Sequence, residues 1–139
     1  MASSSATATA KRREAVPRVY RKHLSEPWFT LVSVGLKTVE GRLGNGDFAA
    51  MRPGDIVVFF NDDVLGDGLG PRECRVRVAG VERFATFADM LGAPGHRSAA
   101  LPVSNVRTAR QGISVYRQFY SASDEARHGV VAVRLSLDA

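Results

Sequence analysis

Ile56 to Phe60, IVVFF, limits the possible folds more than any other segment of this chain. Five apolar residues in unbroken succession offer no side to water, so a strand here must be buried. MRPGD precedes it, and Pro53 and Gly54 supply a turn. A glycine- and aspartate-rich loop, NDDVLGDGLGP, follows. Beyond that loop ECRVRVAGVERF alternates, with Cys74, Val76 and Val78 set against Arg75 and Arg77. That pattern predicts a half-buried strand, with Gly80 at a bulge or bend.

The remaining elements fall around this pair. RVYRKH predicts a first strand and SEPWFTLVSVG a helix, with Ser25 as its cap, Pro27 in the first turn and Gly35 as the stop. KTVEGRL reads as a short strand. TFADMLG is a short helix capped by Thr86, and APGHRSAALPVS an irregular connection. Asn105 to Tyr120 has helical spacing. It places Val106, Ala109, Ile113, Tyr116 and Tyr120 on one side and Arg107, Arg110, Ser114 and Arg117 on the other. SDEARHG adds a turn closed by Gly129, and VVAVRLSL is a final strand. The order β-α-β-β-β-α-α-β suits an α+β fold: a small mixed β-barrel with two or three helices packed on its rim.

A chain of 139 residues suits one domain. Residues 18–139 are expected to form it, behind a disordered basic tail over residues 1–17. The net charge of +5 lies at this end, because residues 1–22 carry six basic side chains and one acidic. Beyond them basic and acidic groups balance, so a basic surface on the domain needs segregated charge. No apolar run reaches the roughly 18 residues of a membrane span. The lone Cys74 excludes an internal disulfide and fits a reducing compartment. A cytoplasmic or nuclear place is expected, with the serine-rich, acid-poor tail leaving organelle targeting open. His23, His96 and His128 lack metal-ligand spacing, and the loop acids Asp62, Asp63 and Asp67 lack the closing glutamate of a calcium loop. The glycines match no phosphate loop. No metal and no cofactor are expected, and the oligomeric state is left open.

GLKTVEGRL, Gly35 to Leu43, concentrates the chemistry. Strand alternation sends Glu40 and Arg42 one way and Val39 and Leu43 the other. Lys37 then belongs to the turn after Gly35, with a solvent-accessible head group swung to the same opening as Glu40 and Arg42, because a buried unpaired ammonium is costly. The alternative is a solvated edge strand whose charges pair with one another for roughly 0–1 kcal/mol.

GLKTVEGR resembles the G-x-K-x-x-E-x-R pattern of the ASCH family, whose fold is a PUA-like β-barrel. The resemblance continues through LSEPWFTLVSVGLKTVEGRL, MRPGDIVVFFN, VYRQFYS and HGVVAVRL, in the family's order, over roughly residues 18–137. It implies an RNA- or nucleotide-binding domain, with a cleft between barrel and helices that receives RNA or a modified nucleoside. The implied ligand-binding residues are Lys37, Glu40 and Arg42, with Gly35 completing the motif. Asn61, Tyr120 and Ser121 are placed at the same cleft. Trp28 is expected mainly in the helix–barrel core. The alternative function is a hydrolase using that cleft, either an amidohydrolase on acetylated cytidine or a ribonuclease, with Lys37 and Glu40 as catalytic groups. Small bacterial relatives with the amidohydrolase activity carry a threonine three residues after the lysine. This chain has Glu40 there.

Overall fold

In a computed structural model of the chain, the described residues are 16–63 and 71–138. Most of the expected tail over residues 1–17, and Asp67, lie outside them. The strands are β1 (Val19–His23), β2 (Val39–Leu43), β3 (Ile56–Asn61), β4 (Arg72–Phe84) and β5 (Val130–Ser136). The helices are α1 (Trp28–Ser33), α2 (Gly46–Ala50), α3 (Phe87–Gly92), α4 (His96–Ala100), α5 (Ala109–Arg117) and α6 (Ala122–His128). The architecture is α+β, a mixed barrel-like sheet with short helices against it. The expected two or three helices become six among the described residues. One of the additions, α4, sits in the segment expected to be irregular.

The five strands pair in the order β1-β3-β4-β5-β2. Only β1 and β3 run parallel; the other pairs are antiparallel. Strand β4 explains the curl. Its first half pairs with β3 and its second half with β5, and the register shifts between Val78 and Gly80. A bulge at that point bends the strand and carries the sheet round a corner. A Cβ at Gly80 would collide with the Arg134 guanidinium, so only glycine lets that side chain lie across the bend. The two ends of the sheet, β1 and β2, do not pair with each other. The barrel is therefore a half-barrel with a seam.

The predicted buried strand is β3, and Val57 and Phe59 within it are fully covered. Strand β5 is covered on both faces as well. Val131, Val133 and Leu135 enter the core inside the curl, with Phe29, Val32, Val57, Phe59 and Val76. Val130 and Ala132 enter a second core beneath the helices, with Phe87, Met90, Leu91, Leu101 and Tyr116. Trp28 touches both cores.

Two helix starts differ from expectation. Ser25 does not cap α1. Pro27 stands at the cap position, and the Ser25 main-chain oxygen accepts from the Phe29 N–H at 3.0 Å. The long helix begins at Ala109 rather than Asn105, because Thr108 and Gln111 form a reciprocal capping box. Gly35 does end the helical turn, at φ 81°, and the N–H groups of Leu36 and Lys37 both return to the Leu31 oxygen. Thr86 caps α3 as expected, accepting from the Asp89 N–H. No helix among the described residues is long and apolar enough to cross a membrane.

Candidate functional site

A cavity of about 360 Å³ lies at the seam between β1 and β2. His23, Leu24, Ser25 and Trp28 form its β1–α1 side. Lys37, Glu40, Gly41 and Arg42 form its β2 side. Tyr116, Phe119 and Tyr120, at the end of α5 and just beyond, close it from the helices. Arg42 bridges the seam, because its Nη2 donates to the His23 carbonyl at 3.3 Å.

The turn after Gly35 delivers Lys37 ahead of β2, as the alternation argument requires. Its head group, however, is not solvent-accessible. Lys37 is 3 % exposed, and its Nζ donates to the Val39 oxygen at 2.5 Å and the Ala100 oxygen at 2.6 Å. Glu40 Oε1 stands 3.3 Å away as a third acceptor. An ammonium has three N–H bonds, and here each has an oxygen within reach. The expectation of an open lysine underestimated how completely two carbonyls and a carboxylate can replace water.

Glu40 is the centre of the trio. It is 5 % exposed, and its Oε2 accepts from Arg42 Nε at 2.9 Å. Burial alone would raise its pKa, but the charges of Lys37 and Arg42 outweigh that and hold it below the usual carboxylate value. Burial lowers the Lys37 pKa against the pull of Glu40. Arg42 is desolvated too, yet Glu40 raises its pKa above the ordinary value. Its guanidinium lies over the Phe48 ring at 4.4 Å.

The remaining predicted residues divide. Tyr120 lines the cavity, and burial raises its pKa. Asn61 and Ser121 are not part of the lining. Asn61 is 1 % exposed; it donates to the Leu24 oxygen at 2.9 Å and accepts from Arg72 Nη2 at 3.1 Å. Ser121 caps α6, accepting from the Asp124 N–H at 3.0 Å. Arg117, on the arginine face of α5, is taken up by Glu125 at 3.0 Å. Trp28 both packs in the core, as expected, and presents itself to the cavity, with Lys37 Nζ 5.7 Å from its ring centre.

Sequence reasoning missed Tyr116, which it assigned to the core, and it passed over Phe119, His23 and Ser25. The available signal was the spacing of Tyr116, Phe119 and Tyr120. Positions i, i+3 and i+4 share a helix face, so three aromatic rings gather at the end of α5. Phe119 is 53 % exposed, an unusual state for a large apolar ring beside a cavity. Among the described residues, His23, Asp62 and Asp63 bring metal-ligand-type atoms within 4.8 Å of one another. All three are exposed, and such groups are common without an ion.

A half-barrel with a cavity at its open seam, backed by a lysine, a glutamate and an arginine from one strand and its lead-in, defines a PUA-like α+β fold. The ASCH domain model matches residues 23–137, and the chain belongs to the ASCH domain family. The crystal structure of hypothetical protein PH0355 is similar, with a TM-score of 0.69 and 32 % identity, over 85 % of this chain and 97 % of that one. The solution structure of protein PF0455 from Pyrococcus furiosus is similar with a TM-score of 0.62 and 29 % identity, over 87 % of this chain and 99 % of that one. No curated protein matches the chain.

Proposed function

We propose that this ASCH domain binds RNA, or a nucleotide cut from it, by taking one base into the seam cavity. One observation carries the reading: the ionised Glu40 and Arg42 lie side by side in a cavity walled by Trp28, Tyr116, Phe119 and Tyr120. Aromatic faces stack on any base, and a carboxylate beside a guanidinium offers an acceptor and a donor to its polar edge. The cavity volume of about 360 Å³ falls at the small end of ligand pockets, which run from roughly 300 to 1,000 Å³. The motif trio carries one net positive charge, which suits a ligand bearing phosphate.

Lys37 enters this reading as a support. Its contacts with the Val39, Ala100 and Glu40 oxygens hold Glu40 and the start of β2 in place. The amidohydrolase alternative is disfavoured because this chain has Glu40 where the relatives with that activity carry a threonine.

Trp28 is the only tryptophan, so its emission reports the cavity directly. Single-stranded RNA should change that emission, and Arg42→Ala should weaken the response at least tenfold. An unresponsive Trp28 in the wild-type protein would remove the proposal. N4-acetylcytidine incubated with the protein should remain intact; its deacetylation would replace the binding reading with the amidohydrolase.

A further inference from the structure

Two buried side-chain polar atoms among the described residues have no hydrogen-bond partner, Tyr20 Oη and Tyr116 Oη. Only Tyr116 lines the seam cavity. A buried hydroxyl left unpaired is destabilising, and phenylalanine would avoid that cost at the same packing. The hydroxyl is held firmly in this position. Its ring stacks on Phe87 with centres 4.2 Å apart and planes 8° from parallel. The Thr108 capping box fixes the start of the helix that carries it.

The β2 strand makes room for this hydroxyl. A Cβ at Gly41 would stand 2.8 Å from Tyr116 Oη, so the glycine inside the motif is what lets the oxygen approach the strand. The strand contributes polar groups of its own. Leu135 N–H donates to the Thr38 oxygen, and Gly44 N–H to the Gly129 oxygen. Even-numbered residues of the segment therefore bond toward β5, and the peptide N–H and C=O of Gly41 turn the other way, toward the seam. Burial, reinforced by the charge of Glu40, raises the Tyr116 pKa, so the group stays an O–H donor throughout the physiological range.

The hydroxyl is also recessed, since Tyr116 is only 6 % exposed. An exocyclic oxygen projects beyond the edge of a base and reaches a recessed donor. A ring nitrogen lies flush with that edge and does not. We infer that Tyr116 is a specificity-determining residue: its hydroxyl donates to an exocyclic carbonyl oxygen of the bound base, and the cavity therefore selects bases that carry one, such as uracil and cytosine, over adenine, which has none. The inference rests on the base-binding reading above and adds the identity of the edge that is read.

Tyr116→Phe tests it, because the ring and its stacking on Phe87 survive while the donor is lost. Trp28 emission is followed as U6, C6 and A6 RNA hexamers are added to the full chain, wild type and variant. The wild type should favour U6 and C6 over A6 by about tenfold, and Tyr116→Phe should erase that preference while leaving A6 affinity within about twofold. The basic N-terminal residues are common to both proteins and cancel in the comparison. The variant should melt no lower than the wild type, since it loses only an unpaired group. A lower melting temperature would show that the hydroxyl has an internal partner and overturn the inference. Equal preference in the two proteins would also overturn it while leaving base binding intact. A Trp28 signal that none of the three hexamers alters would remove base binding itself, and this inference with it.

Discussion

Two polar knots flank helix α1, one around the buried Lys37 and Glu40 and one around the buried Asn61, and they are built from nearly the same parts. One joins Lys37, Glu40 and Arg42. The other joins Asn61, Arg72 and Glu26, with Arg72 Nη1 3.0 Å from Glu26 Oε2. Each has a carboxylate and an arginine, each ties to a main-chain carbonyl of the stretch that leads into α1, and each arginine lies over a phenylalanine ring. Arg42 covers Phe48 at 4.4 Å, and Arg72 covers Phe29 at 5.0 Å. The difference is their surroundings. The Asn61 knot closes on itself, and its amide is spent on the Leu24 oxygen, Asp63 and Arg72. The Glu40 knot lies open along one side to a cavity walled by aromatic rings, with an unpaired hydroxyl beside Gly41. Paired charges beside the same helix therefore do not by themselves mark a binding site. Polar capacity left over beside a space that fits a ligand does.

The sharpest way to break this comparison is at Glu40. Glu40→Ala leaves Lys37 and Arg42 as buried cations without their anion. Removing one partner of such a group should cost about 3–5 kcal/mol, read as a lower urea midpoint. Replacing Lys37 and Glu40 together with Met and Leu should recover much of that loss while still removing RNA binding. A stable Glu40→Ala protein would show that water already reaches the knot. The same carboxylate sets a pH dependence. Its folded pKa is lowered, so its contribution is present above the ordinary glutamate value of about 4.3. The contribution is lost as pH falls through the folded value, because the unfolded chain takes up the proton first. Glu40→Gln should flatten that part of the stability profile.

Gly41→Ala comes next. The added methyl meets Tyr116 Oη at 2.8 Å and Met90 Cε at 2.9 Å, and both side chains are buried. Overpacking of this kind costs about 1–3 kcal/mol. Because Met90 is flexible and Tyr116 is clamped on Phe87, the methionine should yield first. RNA affinity should fall more than melting temperature. A loss of stability with intact binding would mean that Gly41 serves packing alone.

Asn61→Ala probes the closed knot. It leaves the Leu24 oxygen and Arg72 short of a partner, at about 1–3 kcal/mol, with RNA affinity within twofold of wild type. A fall in affinity at unchanged fold would reopen Asn61 as a ligand contact and dissolve the contrast between the knots.

Much of the fold was legible because it follows from local rules. The unbroken run at Ile56 to Phe60, the alternation through Cys74 to Val78 and the bulge at Gly80 each appear as read. The short helices α2 and α4 were not, since one turn of helix leaves almost no periodic signal. The trio at the site was legible for the same local reason, as three charges on one strand and its lead-in. What escaped was tertiary. The carbonyl of Ala100, 63 residues away in sequence, is part of what buries Lys37, and no pattern near Lys37 announces it. Tyr116 satisfied the apolar side of its helix, so periodicity assigned it to the core. Its hydroxyl became informative only when the cavity appeared beside it.

The smallest expected effect separates Tyr120 from its neighbour Ser121. Both sit at the corner between α5 and α6, and the sequence pattern gives them the same role. The structure gives them different ones. Tyr120 faces the cavity, while Ser121 Oγ accepts from the Asp124 N–H and starts α6. Ser121→Ala should cost about 1 kcal/mol, the usual loss of a helix cap. The damage should stay at the start of α6, because the Glu125 carboxylate still accepts from the buried Phe87 N–H at 2.7 Å and anchors the helix. Tyr120→Ala should lower both stability and RNA affinity, because its ring also stacks on Phe87 with centres 5.5 Å apart, but affinity should fall by more than the change in stability explains. Measured side by side, only Tyr120→Ala should weaken the Trp28 titration. A loss of RNA affinity in Ser121→Ala would place Ser121 at the ligand and widen the site beyond the cavity as drawn.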